Sequence, residues 1–235
     1  MSRLWQGIRV QYLYAKPGFL VFWGIIFAIM ALQYVGFLYL HFGNLEVKSV
    51  AAGHIVGVVI YMGIATGLQC WETLPYALNL GNTRGEFWLG CAVFNCLYSL
   101  VMAGILLVLS LLEWAAYALM GWEHQLMRGD GVAQVFIKFL VDSALLAAVT
   151  AGVFLAVMLG YRYGWKPFVI LVAAFVSSLK LFPSLGHALV TGLDFLFLTL
   201  FGSGSPWSLI RGLLVVTAVC YGLAYPLVRG SQVKS

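Results

Sequence analysis

Charge is what this chain has least of. Asp, Glu, Lys and Arg together make up 9% of its 235 residues, where a soluble domain carries about 25%. That shortage excludes an ordinary water-soluble domain, whose surface would here be mostly hydrocarbon. A phosphate loop of the form G-x-x-x-x-G-K-[ST] is also missing, and no Gly-Lys pair occurs anywhere. The chain therefore cannot cradle nucleotide phosphates by that device. Cysteine is sparse: Cys70, Cys91, Cys96 and Cys220 stand in or beside apolar runs, with no CxxC pair. They read as small apolar packers rather than a disulfide framework. No His, Cys, Asp and Glu grouping has metal-ligand spacing, and no Ser-His-Asp or Glu-x-x-His arrangement appears. The expectation is a non-enzymatic chain with no metal and no bound cofactor. A cleavable leader is not evident either, because the first apolar run is too long and lacks a small-residue cleavage site after it.

What is present is hydrocarbon. Apolar residues make up 63%, and mean hydropathy is +0.97. In a bilayer every backbone polar group must be paired within the protein, so only helices or closed barrels cross it. The long apolar runs lack the alternation of a barrel strand. The expected class is therefore an all-α integral membrane protein. Six runs approach or exceed the length of about 20 residues that spanning takes: 18–40, 50–68, 87–112, 132–159, 167–182 and 207–227. A further apolar segment, 185–201, is interrupted by Gly186, His187, Gly192 and Asp194.

Charge placement orders these runs. With six spans, one side holds Arg3, Arg9, Lys16, Arg84, Arg162, Lys166, Arg229 and Lys234, eight of the thirteen basic residues. Lys48, Arg128, Lys138, Lys180 and Arg211 fall on the other side or at nearby helix ends. Positive charge collects on the cytoplasmic face, so both termini are expected inside a plasma membrane. A seventh span would place Arg229 and Lys234 outside. The segment at about 184–205 is therefore expected as a re-entrant outer hairpin, and 229–235 as a cytoplasmic tail. The excess of positive charge reflects topology and anionic lipid and calls for no nucleic-acid partner.

Residues 1–17 precede the transmembrane domain of 18–228. Leu4, Trp5, Ile8, Tyr12 and Ala15 share one helical arc, with Arg3, Gln6, Arg9 and Lys16 elsewhere. Pro17 then marks a break. The pattern predicts an N-terminal interfacial helix; a basic tail that only sets topology is the alternative.

The most specific stretch lies between the second and third runs. Thr73 is placed as an N-cap with Pro75 in the first helical turn. Gly81 is placed to end that helix in the left-handed conformation. Thr83-x-x-Glu86 then forms a capping box just before the apolar run. This predicts a separate short helix, about 73–82, in a cytoplasmic loop. On the residues alone it suits either a rigid knob for a partner protein or an ordinary capped connection.

This plan resembles the permease subunits of type-2 ABC exporters over essentially the whole chain. Its sharpest local part is 74–87, LPYALNLGNTRGEF, which is similar to the coupling segment of small bacterial members. The resemblance implies that the segment docks into a separate ATPase subunit dimer, which binds the ATP and Mg. Tyr76, Leu78, Leu80, Gly81, Thr83, Arg84 and Glu86 would make the coupling contacts. It also implies that six spans are half a transporter, completed by a second copy or a paralogous permease. Aromatic spans would suit a lipid-like, peptide or antibiotic cargo, and hence efflux and antibiotic resistance.

Polar groups inside the spans are the remaining candidates. Lys138 and Asp142 stand one helical turn apart and can pair, as a structural pair or a substrate site. His54 lies on the second span among small residues, for a helix-packing hydrogen bond or a proton or metal site. Gly53, Gly57, Gly63 and Gly67 form two small-residue repeats suited to close helix packing, within the chain or at a dimer seam. Two other classes compete. A substrate-capture subunit of an energy-coupling-factor importer should carry small residues on span one, which here is aromatic (Phe19, Phe22, Trp23, Phe27, Tyr34, Phe37). An intramembrane enzyme should show facing catalytic residues at mid-depth, and none are apparent.

Overall fold

The computed structural model describes residues 3–40, 50–119, 132–164 and 205–230, with side chains over 5–33, 54–115, 134–164 and 205–230. Among these residues all regular structure is helical: α1 (Arg3–Leu40), α2 (Val50–Asn79), α3 (Arg84–Leu119), α4 (Val132–Tyr163) and α5 (Pro206–Gly230). Each contains a stretch long and apolar enough to cross a membrane. The shortest such stretch has 25 residues, about 37 Å of helix against a hydrocarbon core of about 30 Å. The fold is that of an all-helical, multi-pass membrane bundle. The expected fifth span (167–182), the outer hairpin short of Ser205, and the tail beyond Gly230 lie outside the described residues.

Two expected helix breaks do not occur. α1 runs through Pro17, and α2 runs through Pro75 to Asn79. The separate helices expected at 1–17 and about 73–82 are instead continuous with the spans that follow and precede them. An interior proline costs about 3 kcal/mol, so the neighbouring packing has to outweigh it. In α2 it does so through Cys70, Leu74 and Ala77, which extend one buried face against Phe87, Cys91, Phe154 and Met158. In a bilayer such packing stabilises through van der Waals contact rather than through removal of surface from water. In α1, Ile8, Ala15, Phe19 and Trp23 join one core on both sides of Pro17. Thr73 is accordingly not an N-cap. It is buried within α2, where its Oγ1 donates to the Gln69 carbonyl at 2.6 Å.

The packing fixes relative directions. α2 and α3 are antiparallel across the turn at 80–83. α4 and α5 run parallel: Ala144 and Ala148, midway along α4, meet Ile210 and Leu213 in the first turns of α5. Further along, the Phe154 and Tyr221 rings are 5.5 Å apart, and Arg162 reaches the Pro226 carbonyl at 3.4 Å near both C-termini. The bundle thus has a turn end, holding the α2–α3 turn, the start of α1 and the ends of α4 and α5, and a far end opposite. Trp23, Ile26, Met30, Val58, Met62, Phe94, Tyr98 and Met102 fill the core between α1, α2 and α3. Outward stand Leu20, Val21, Ile25, Ile60, Ile64, Leu97, Val101, Val219 and Leu223, all exposed. In water that surface would aggregate; in lipid it is matched to its solvent.

Candidate functional site at the α2–α3 turn

Residues 77–86 end one helix and start the next with almost no slack. The Asn82 amide donates to the Ala77 carbonyl at 3.2 Å and the Gly81 amide to Leu78 at 3.0 Å. That pair of bonds is a Schellman cap, and it requires a left-handed residue at position 81. Gly81 supplies it with φ of 80°. Then Thr83 and Glu86 cap α3 reciprocally: the Thr83 amide donates to Glu86 Oε2 at 2.7 Å, and the Glu86 amide to Thr83 Oγ1 at 3.2 Å. Both devices lie where the residue pattern places them. What differs is that they close a long helix, not a short one.

Neighbouring helices brace this turn. Arg84 Nη1 donates to the Arg229 carbonyl at 2.8 Å, and Arg162 donates to Pro226. The Arg84 guanidinium therefore meets an end carbonyl at the negative dipole end of α5, and that of Arg162 reaches a carbonyl in the turn before it. Trp88 Nε1 donates to the Tyr221 carbonyl at 3.0 Å, and its ring lies 5.2 Å from Tyr225. On the α1 side, Tyr14 Oη donates to Glu72 Oε2 at 2.5 Å.

Of the residues expected to couple to a partner, Tyr76 and Leu80 are 55% and 52% exposed. Gly81 and Thr83 are exposed beside them. Leu78 instead turns inward and packs against the core around Leu74 and Phe87. Arg84 and Glu86 are half-buried, and both are engaged in holding the turn.

The intramembrane candidates gather at the far end. Lys138 Nζ lies 3.7 Å from Asp142 Oδ2 and 3.5 Å from Ser110 Oγ on α3. Ser110 itself donates to the Leu106 carbonyl at 2.9 Å. His54 is buried, and its Nε2 has no hydrogen-bond partner among the described residues. Among the described residues, the carboxylate near enough to act on His54 is Glu113, buried one turn beyond Ser110. Glu113 and Ser110 were not among the residues singled out from the sequence. The available signal was an acidic residue just past a run read as ending at 112.

The glycine repeats of α2 face inside the chain. A Cβ at Gly57 would sit 3.8 Å from Ile26 of α1, and one at Gly63 or Gly67 would sit 3.7 or 3.6 Å from Val153 of α4. Gly53 lies in α2 outside the residues with described side chains. Near the turn end Gln11 was also unforeseen. It is buried, and its Nε2 donates to Cys91 Sγ at 3.0 Å, whereas Trp5 and Tyr12 of the expected apolar arc are exposed. No group of His, Cys, Asp and Glu able to hold a metal is found among the described residues. Compared with protein-family models, curated proteins and solved structures, the chain has no match.

Proposed function

We propose that this chain is the permease subunit of an ATP-driven ABC exporter, with the α2–α3 turn as its contact to a separate ATPase. The observation that carries the reading is a rigid, outward-facing turn. Tyr76 and Leu80 present apolar surface at the turn end, while two caps and an arginine tie hold the backbone beneath them. Because α2 continues unbroken into the turn, a push there would tilt α2 and α3 directly. No flexible joint would absorb it. The two halves of a dimer would then rock to open the pathway to the other side.

Topology agrees with this plan. α4 and α5 run parallel, so the two helices start on one side of the bundle and end on the other. That favours six crossings over seven, with both termini on the turn side, taken as cytoplasmic from its arginines.

The test is co-purification of the tagged chain from its host in mild detergent. A nucleotide-binding subunit should accompany the wild type and be lost from Leu80→Asp, whose exposed side chain lets the fold stand. Absence of any such subunit from the wild type overturns the reading. An L80D variant that retains the subunit moves the contact elsewhere.

A further inference from the structure

At the turn end, α3 and α5 enclose a cleft of about 490 Å³ lined by Thr83, Arg84, Gly85, Tyr225 and Arg229. Its lining carries two guanidiniums and no carboxylate. The nearby Glu86 accepts the Thr83 amide at the α3 cap. Arg84 has a structural reason to be there, since one of its N–H groups holds the Arg229 carbonyl. A guanidinium has five donors, so others remain for a second acceptor. The Arg229 side chain has no such reason among the described residues. Only its backbone carbonyl enters the tie, and its guanidinium is exposed. Arg162, whose guanidinium would sit 3.1 Å from a Cβ at Gly230, adds a third positive charge close by.

We propose that this cleft holds the phosphate of an anionic phospholipid, gripped by Arg84 and Arg229. Guanidinium forks match the paired oxygens of a phosphodiester. There is room for the group, because a Cβ built at Gly85 would meet nothing within 4 Å. The depth fits as well. Trp88 and Tyr225 stand beside the cleft, and Trp71 and Tyr161 pair across α2 and α4 at the same end. Such aromatic belts mark the level of the headgroups.

What favours a lipid over a soluble phosphate is the surface that leads away from the cleft. On α3, Leu89, Val93, Leu97 and Val101 follow Gly85 at four-residue intervals, and all are exposed. On α5, Tyr225, Gly222, Ala218 and Leu214 follow Arg229 at helical spacing, and these are exposed too. A Cβ at Gly222 would also meet nothing. Acyl chains running along these stripes would remain in hydrocarbon while the phosphate stayed in the cleft.

The experiment titrates the purified chain in detergent with phosphatidylglycerol, phosphatidylcholine and glycerol 3-phosphate. Bound lipid is read by native mass spectrometry, and stability by the thermal midpoint. One phosphatidylglycerol should be retained in preference to phosphatidylcholine. Each arginine near a membrane surface is worth about fivefold in binding an anionic lipid. Arg229→Gln should therefore weaken phosphatidylglycerol binding about fivefold, and Arg84→Lys should weaken it less. The lipid-free midpoint of R229Q should equal that of the wild type, because its backbone carbonyl still accepts from Arg84. Wild-type lipid retention in R229Q, or equal retention of phosphatidylcholine, overturns the proposal. A midpoint shift from glycerol 3-phosphate as large as that from phosphatidylglycerol overturns the lipid assignment in favour of a soluble phosphate. None of these outcomes depends on whether an ATPase binds the turn.

Discussion

The two ends of the bundle handle polar groups in opposite ways. At the turn end, side chains mostly satisfy backbone, although the buried Gln11 Oε1 has no partner among the described residues. Thr83 and Glu86 cap α3, and Arg84 and Arg162 reach carbonyls in the last turns of α5. These groups lie at the surface, and their bonds tie helix ends that would otherwise fray. At the far end, side chains mostly face one another inside the bundle. Lys138 answers Asp142, Glu113 acts on His54, and the His54 Nε2 is left without a partner among the described residues. Polar groups at the turn end thus hold the fold together, while those at the far end cost stability unless paired. Residues that stabilise little and are expensive to bury are where a transport path or switch would be sought.

The largest test of that contrast is at Lys138. Lys138→Met keeps the stem and removes the cation beside Asp142, whose side chain is 15% exposed. Breaking a fully buried pair costs 3–5 kcal/mol. Lys138 is 36% exposed, which reduces the expected loss to about 2 kcal/mol. Adding Asp142→Leu should recover most of it, as a double-mutant cycle of unfolding in detergent would show. If the single variant is as stable as the wild type, the far end does not depend on that pair.

Next in size is the turn itself. Gly81→Val forces a β-branched residue to φ of 80°, a left-handed conformation that costs about 1–2 kcal/mol in an L-residue. No steric collision adds to it, because a Cβ at Gly81 meets nothing within 4 Å. An unchanged thermal midpoint would mean that the turn can rearrange and is not the rigid element described. Thr83→Ala removes the side-chain half of the capping box and should lower stability by about 1 kcal/mol. Thr83→Ser should restore it, since the hydroxyl is what the Glu86 amide needs. Failure of the serine variant to rescue would take the capping bond out of the account.

These caps were legible in the residues because they are local. Gly81 and the Thr83-x-x-Glu86 box each act within five positions, so spacing alone places them. The prolines misled for the converse reason. Pro17 and Pro75 disfavour helix locally, but Leu74, Ala77 and Trp23 are buried, and Phe19 partly so, against other helices. That packing outweighs the local cost. The arginine caps were beyond reach of pattern, since Arg84 and Arg229 stand 145 positions apart. Gln11 was hidden in another way. A lone amide on a helix reads as a solvent-facing residue until Cys91 is known to lie opposite it.

The smallest expected effect has the opposite sign, which makes it the most discriminating. His54 is buried, with a ring nitrogen unpaired among the described residues. Leaving a buried polar atom unsatisfied carries a desolvation penalty, whereas an apolar side chain of similar size carries none. His54→Leu should therefore raise stability by about 0.5 kcal/mol, a gain limited by imperfect shape match in the space around the ring. Thr83→Ala, measured alongside, should move the midpoint the other way. A stabilised H54L protein that has lost function in vivo would show the histidine retained for activity at a cost in stability. Should H54L instead unfold more readily, the ring is a packing element like those of the turn end, and the contrast between the two ends collapses at its most specific residue.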